Sequence, residues 1–212
     1  MPTCAHCTVF ACREEARGDL PGNCPMHDPE EMREILKKYE DPGTKRFFRA
    51  SSAIEAEGYC RWPRLRETAE FCRRMQYRKI GVAFCIGLRR EARVVVDVLR
   101  GFGLEVPSVV CKTGGHAKSD AGITPGEYVR PGTFETMCNP IAQAELLNRE
   151  QVEFNILVGL CVGHDSLFLK HALAPATVLI AKDRVLAHNP AGAVYCSQSY
   201  FKEILKSKQV NE

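Results

Sequence analysis

Eleven cysteines occupy this chain of 212 residues, and their spacing sorts them into two chemical groups. Cys4, Cys7, Cys12 and Cys24 crowd the amino terminus as C-x2-C-x4-C-x11-C. Cys85, Cys111 and Cys161 each stand at the end of an apolar run with a strand's pattern. Thiolates ligate soft and borderline metals, and free thiolates are strong nucleophiles. The first group therefore predicts a metal knuckle, and the second a row of thiols at a sheet edge.

The knuckle has one close pair, Cys4 and Cys7, followed by two single cysteines. Structural zinc usually takes two close pairs, so this irregular set is nearer to iron–sulfur loops. Pro25 after Cys24 has the same flavour. A zinc site remains the rival: Cys24-Pro-Met-His27 is a C-x2-H step, so Cys4, Cys7, Cys24 and His27 would hold the ion and leave Cys12 free.

The sheet-edge cysteines have informative neighbours. Gly159-Leu-Cys161-Val-Gly163 has the G-x-C-x-G form of a nucleophile elbow, and Ala83-Phe-Cys85-Ile-Gly87 nearly repeats it. A thiol at a strand-to-helix turn lies near a helix N-terminus, which favours thiolate. Cys161 is thus a candidate nucleophile, with His164 or His188 as base and Asp183 as orienter. Lys112, Gly114, Gly115 and His116 follow Cys111, and Lys182 follows the last strand; these are candidate substrate-binding residues. Cys138 precedes a capped helix that leads into the third strand. It is the fourth candidate for the sheet-edge thiol site, although that placement puts it at the opposite edge unless the long loop before it folds back. Cys72 falls on an apolar helical stripe and reads as core.

Positioning these thiols requires strands and helices in alternation. Asp28, Pro29 and Glu31 predict a capped helix start, with Met32, Ile35, Leu36 and Tyr39 on one face. Further helices are expected over 44–57 and 64–77. Strands are expected at Ile80–Cys85, Val106–Cys111, Phe154–Val162 and Ala176–Ala181. Helices are expected at Leu88–Arg100, Pro140–Asn148, His164–Leu173 and over 198–206, and a loop over 112–138. Continuous apolar strands separated by helices predict an α/β fold: a small doubly wound, mostly parallel sheet of about four strands in the order 2-1-3-4. Residues 1–28 form a cysteine-rich segment, and 29–212 a helical lead-in with the α/β domain.

Composition bounds the role. The net charge of +3 comes from Arg and Glu mixed along helices, which argues against nucleic acid. No apolar run approaches the roughly 18 residues of a membrane span, and the chain starts Met-Pro-Thr-Cys without an apolar leader. A cytoplasmic protein is expected, with a small-molecule or redox partner. In a reducing compartment, cysteine clusters read as metal ligands or catalytic thiols before disulfides.

Several segments resemble a known family. These are Cys4-x2-Cys7 with Asn23-Cys24-Pro25-Met26, then Ala83-Phe-Cys85-Ile-Gly-Leu88, Cys138-Asn-Pro-Ile-Ala-Gln-Ala-Glu145 and Gly159-Leu-Cys161-Val-Gly-His-Asp-Ser-Leu-Phe168. The chain resembles a prokaryotic family described as predicted metal-binding proteins, a domain of unknown function with an N-terminal cysteine cluster. That resemblance implies metal at Cys4, Cys7, Cys12 and Cys24 and a cytoplasmic protein, and it implies no reaction.

Overall fold

A computed structural model describes residues 1–14 and 18–205. The chain divides into two compact units, Met1–Glu57 and Gly58–Glu212. In the first, three 3-10 turns are followed by α1 (Pro29–Lys37), and α2 (Pro42–Gly58) reaches the boundary. The start of α1 forms as its sequence predicts: the Asp28 carboxylate accepts the Glu31 N–H at 2.9 Å, and Pro29 takes the first helical position.

The second unit opens with α3 (Arg64–Arg74) and then winds a sheet. Its elements are β1 (Ile80–Phe84), α4 (Arg89–Gly101), β2 (Ser108–Val110), α5 (Pro140–Arg149), β3 (Phe154–Val158), α6 (His164–His171), β4 (Ala176–Ile180) and α7 (Ala191–Tyr195). All pairings are parallel, and the strand order is β2-β1-β3-β4. This is the doubly wound order expected from the sequence. Every residue of β3 is buried, so both faces of the sheet are covered, as a parallel sheet requires. Ala92, Val95, Val96 and Leu99 of α4 and Ala144 and Leu147 of α5 supply much of that cover. Cys72 on α3 is fully buried, and burial pushes its thiol up to about 12. It is a core residue and not a reactive one.

Two strands are shorter than their apolar runs, for identifiable reasons. Pro107 has no N–H to give a ladder and serves only through its carbonyl, which accepts the Val82 N–H at 3.0 Å. β2 therefore begins at Ser108. β3 ends at Val158 because Gly159 turns the chain with φ +64°. The expected terminal helix over 198–206 is instead α7, starting after Pro190, and a separate 3-10 turn at Lys202–Leu205. Proline is accommodated at a helix start, and Tyr195 and Tyr200 remain exposed with no apolar stripe to anchor a longer helix.

Gly159 is required for two reasons. Its φ is left-handed, and an added Cβ would lie 2.6 Å from Leu88 Cδ2. Gly159→Ala is expected to destabilise the fold by about 1–3 kcal/mol, through strain and overpacking together. Gly101→Ala, where nothing lies within 4 Å, is expected to leave stability equal or slightly higher. Thermal denaturation of the two variants checks the contrast; equal melting temperatures would contradict it.

Candidate functional site

Parallel strands place all their carboxyl ends at one edge, where open α/β sheets bind ligands. Here that edge carries sulfur. Phe84 at the end of β1 pairs with Val110 of β2 and Val158 of β3. The ladder continues for one residue: Cys111 N–H donates to the Phe84 carbonyl at 2.9 Å, and Cys85 N–H to the Val158 carbonyl at 3.1 Å. Cys85 and Cys111 are thereby fixed side by side on rigid backbone. Cys161 follows β3 within the turn between Gly159 and Gly163, both at positive φ.

Cys138, the fourth candidate for this thiol site, joins them, although the sequence places its helix start at the far edge unless the long loop folds back. A crossover helix runs antiparallel to its strands. α5 must finish at the amino edge to feed β3, so it begins at the carboxyl edge. The long loop also folds back: Lys118 N–H donates to the Glu135 carbonyl at 3.0 Å, and Met137 N–H to the His116 carbonyl at 2.9 Å. Asn139 completes the join. Its N–H donates to the Cys111 carbonyl at 2.7 Å, and its side chain caps α5 through the Ala142 N–H at 3.0 Å. The Cys138 and Cys111 sulfurs end 3.9 Å apart.

Cys85, Cys111, Cys138 and Cys161 all line one small void of about 10 Å3, together with His164 and Gln143. A void of this size takes one water-sized guest. Three of the sulfurs have a cationic partner. Lys182 Nζ lies 3.1 Å from Cys85, Lys112 Nζ 3.4 Å from Cys138, and Arg184 Nη2 3.1 Å from Cys161. The fourth, Cys111, accepts the Ile86 N–H at 3.4 Å.

These surroundings separate the thiols by charge. A hydrogen bond from Cys111 holds Cys85 far below the usual thiol range, with the Gly87 N–H and Lys182 assisting. The same donor, then Lys112 and His164, pulls Cys138 down to about 5. Cys111 is pushed up, first by its bonds to Cys138 and Cys85 and then by burial. The surroundings thus favour charge on Cys85 and Cys138 and a neutral Cys111. Arg184 is raised in turn, chiefly by Cys161.

Gln143 and Arg184 were not singled out from sequence. Gln143 is fully buried on α5 beside Ala144 and Leu147. Its Nε2 donates to the carbonyls of Val109 at 2.7 Å and Phe84 at 3.2 Å, tying the ends of β2 and β1. Its Oε1 has no hydrogen-bond partner. A polar residue on an apolar stripe was the available signal.

The remaining candidates lie around this edge with other partners. His188 Nδ1 accepts the Asp183 N–H at 3.2 Å, and Asp183 Oδ1 accepts the N–H groups of Val185 and Leu186, both at 2.8 Å. Both are tied within one turn. Gly114 and Gly115 have positive φ in the turn after Cys111, where a Cβ on Gly114 would meet the His116 ring. His116 Nδ1 lies 3.7 Å from Asp120.

In the amino-terminal unit, Cys4, Cys7, Cys24 and His6 line a concavity of about 370 Å3. Cys12 is exposed, and it is not among the lining residues. His27 Nε2 lies 2.9 Å from the Pro21 carbonyl. Among the described residues, no three Cys, His, Asp or Glu side chains converge on a metal-holding point. None of the described helices is long and apolar enough to cross a membrane.

Residues 24–179 match a family described as a protein of unknown function, DUF1847. The chain belongs to the DUF1847 family. The matched segment contains Cys24 and all four sheet-edge cysteines, and it begins after Cys4, Cys7 and Cys12. The chain is also 45% identical over 174 residues to the uncharacterized protein MJ0455 of Methanocaldococcus jannaschii. That alignment covers 82% of this chain and 88% of the archaeal one. The likeness therefore spans most of both this DUF1847 chain and the archaeal protein.

Proposed function

We propose that the chain is a cysteine-ligated metalloprotein with a redox or metal-handling role, whose working centre is the sheet-edge quartet. The observation that carries this reading is the gathering of four cysteines, from four separate chain segments, around one small void, although their side chains do not yet meet at a metal-holding point. The donor set fits a soft metal. The 3.9 Å between Cys111 and Cys138 is near the edge of a tetrahedron built on metal–sulfur bonds of about 2.3 Å. The others line the same void, so Cys85, Cys111, Cys138 and Cys161 would hold the ion once their side chains turn toward it. A thiolate-bound soft ion supplies electron transfer or is itself the cargo. Lys182, Lys112 and Arg184 offset the thiolate charge and fix the sulfurs in place.

The amino-terminal segment is the second metal site in this reading, with Cys4, Cys7, Cys12 and Cys24 as ligands. Three of the four surround one concavity, and its volume suits an iron–sulfur cluster better than a single zinc. Cys12 has to move in to complete the set. With zinc there, the site is a structural knuckle.

One observation favours a thiol enzyme as the second reading. Lys182 and Lys112, at 3.1 and 3.4 Å, favour charged sulfur at Cys85 and Cys138 without any metal, and Arg184 lies 3.1 Å from Cys161. Cys161 would then be nucleophile, with His164 in the same void as base and Lys112 and Lys182 binding an anionic substrate.

Anaerobic purification followed by metal and acid-labile sulfide analysis tests the first reading. Wild type is expected to hold metal at both places. Cys7→Ser is expected to lose the amino-terminal share, and Cys138→Ser the sheet-edge share. Metal content unchanged in both folded variants would overturn the reading.

A further inference from the structure

The Cys138 and Cys111 sulfurs face each other at 3.9 Å across a sequence separation of 27 residues. Both backbones are held: Asn139 N–H bonds the Cys111 carbonyl beside them. A disulfide needs the sulfurs at about 2.0 Å, a closure that side-chain rotation can supply when the backbones are already neighbours. Cys138 is half-buried and Cys111 buried, so one sulfur is open to a small reagent and the other waits behind it. The adjoining void admits one water-sized molecule. It also holds an unused acceptor. Gln143 presents its NH2 to two carbonyls, which fixes the orientation of the amide and leaves Oε1 unpaired while fully buried. A buried acceptor without a partner costs free energy unless a guest donates to it.

We infer that Cys138 and Cys111 form a peroxide-reducing dithiol. Hydrogen peroxide is a small oxidant that can reach the half-buried Cys138, and its O–H groups suit an unpaired acceptor such as Gln143 Oε1. Cys138 sulfur attacks one peroxide oxygen. The S–O bond forms, the O–O bond breaks, and the departing hydroxide takes a proton from solvent and leaves as water. Cys111 sulfur then attacks the Cys138 sulfenic sulfur. The S–S bond forms, and hydroxide leaves as a second water with the Cys111 proton. One thiolate, one thiol, one proton and one peroxide become one disulfide and two waters. The sulfurs lose two electrons and the peroxide oxygens gain them. A small dithiol reductant restores the pair by exchange.

This inference rests on the quartet being the working centre, and not on metal in it. The test uses metal-free, reduced, full-length chain treated with one equivalent of hydrogen peroxide, then alkylated, digested and mapped by mass spectrometry. The expected product is a Cys111–Cys138 linked peptide with a mass loss of about 2 Da, formed at least about tenfold faster than exposed Cys60 is modified. Oxidised glutathione, too large for the void, is expected to be at least about tenfold slower than peroxide. Cys111→Ser is expected to stop at a Cys138 sulfenic acid, trapped by dimedone. Cys138→Ser is expected to give neither link nor sulfenic acid at Cys111. A link from Cys85 or Cys161 instead, first attack at Cys60, faster reaction with oxidised glutathione, or no disulfide in folded protein would overturn the inference. A chain that carries sheet-edge metal yet forms no link refutes this inference alone. A chain that forms the link but never binds metal refutes the metalloprotein reading alone.

Discussion

Cys111→Ala is expected to raise the pH at which its two neighbours lose their charge. Cys111 is the largest influence holding Cys85 and Cys138 down, and its single S–H can serve only one of them at a time. Removing it leaves burial opposing charge, so both thiols should titrate higher, by roughly one to two pH units. The direction follows from the sign of the shift. Cys138 is held down to about 5, so in the native chain its thiolate persists until the pH falls through that value. In the alanine variant the thiolate is lost at a higher pH. Cys111→Ser restores a donor of similar size and should recover much of the effect. Ultraviolet thiolate absorbance against pH reads all three proteins. Superimposable titrations of native and Cys111→Ala would contradict the assigned hydrogen-bond order.

The next largest effect is on metal affinity. Cys138→Ser removes one of the four sheet-edge sulfurs and is expected to weaken soft-metal binding there by more than about 100-fold, the upper end of what outer partners cost. Lys112→Met leaves every sulfur in place. It is expected to weaken binding by about 10-fold or less, by freeing Cys138 from the ammonium at 3.4 Å. Cd2+ titration of the reduced chain, read by isothermal calorimetry, ranks the two. A larger loss in Lys112→Met would mean that the cation, and not the sulfur, holds the ion.

Much of this arrangement was legible in the residues. Continuous apolar runs at Ile80–Phe84 and Phe154–Val158 marked buried parallel strands, and the rule of right-handed crossovers left the order β2-β1-β3-β4. From that order alone, Cys85, Cys111 and Cys161 fell at one edge. What was not legible depended on contacts distant in sequence. Cys138 arrives through a loop whose fold-back depends on pairings such as Lys118 with Glu135, which no local pattern reveals. Gln143 looked like one more helix residue until its amide met the carbonyls of Phe84 and Val109. Arg184 stands in an irregular loop, and only the tertiary fold brings it to Cys161. The amino-terminal cysteines show the reverse. Their spacing is suggestive by itself, but the segment has few apolar residues to order it, so burial does little to bring its sulfurs together.

The central claim is that the sheet-edge quartet binds a soft metal ion. It is tested most directly by adding Co2+ anaerobically to the reduced full-length chain in which Cys4, Cys7, Cys12 and Cys24 are all replaced by serine. Thiolate-to-cobalt charge-transfer absorption then reports only the other cysteines. The account predicts an intense band that saturates at one equivalent, with the ligand-field pattern of a tetrahedral sulfur site, and that disappears when Cys138→Ser is added. A folded chain that develops no charge-transfer band, or one whose band survives the loss of Cys138, would contradict it.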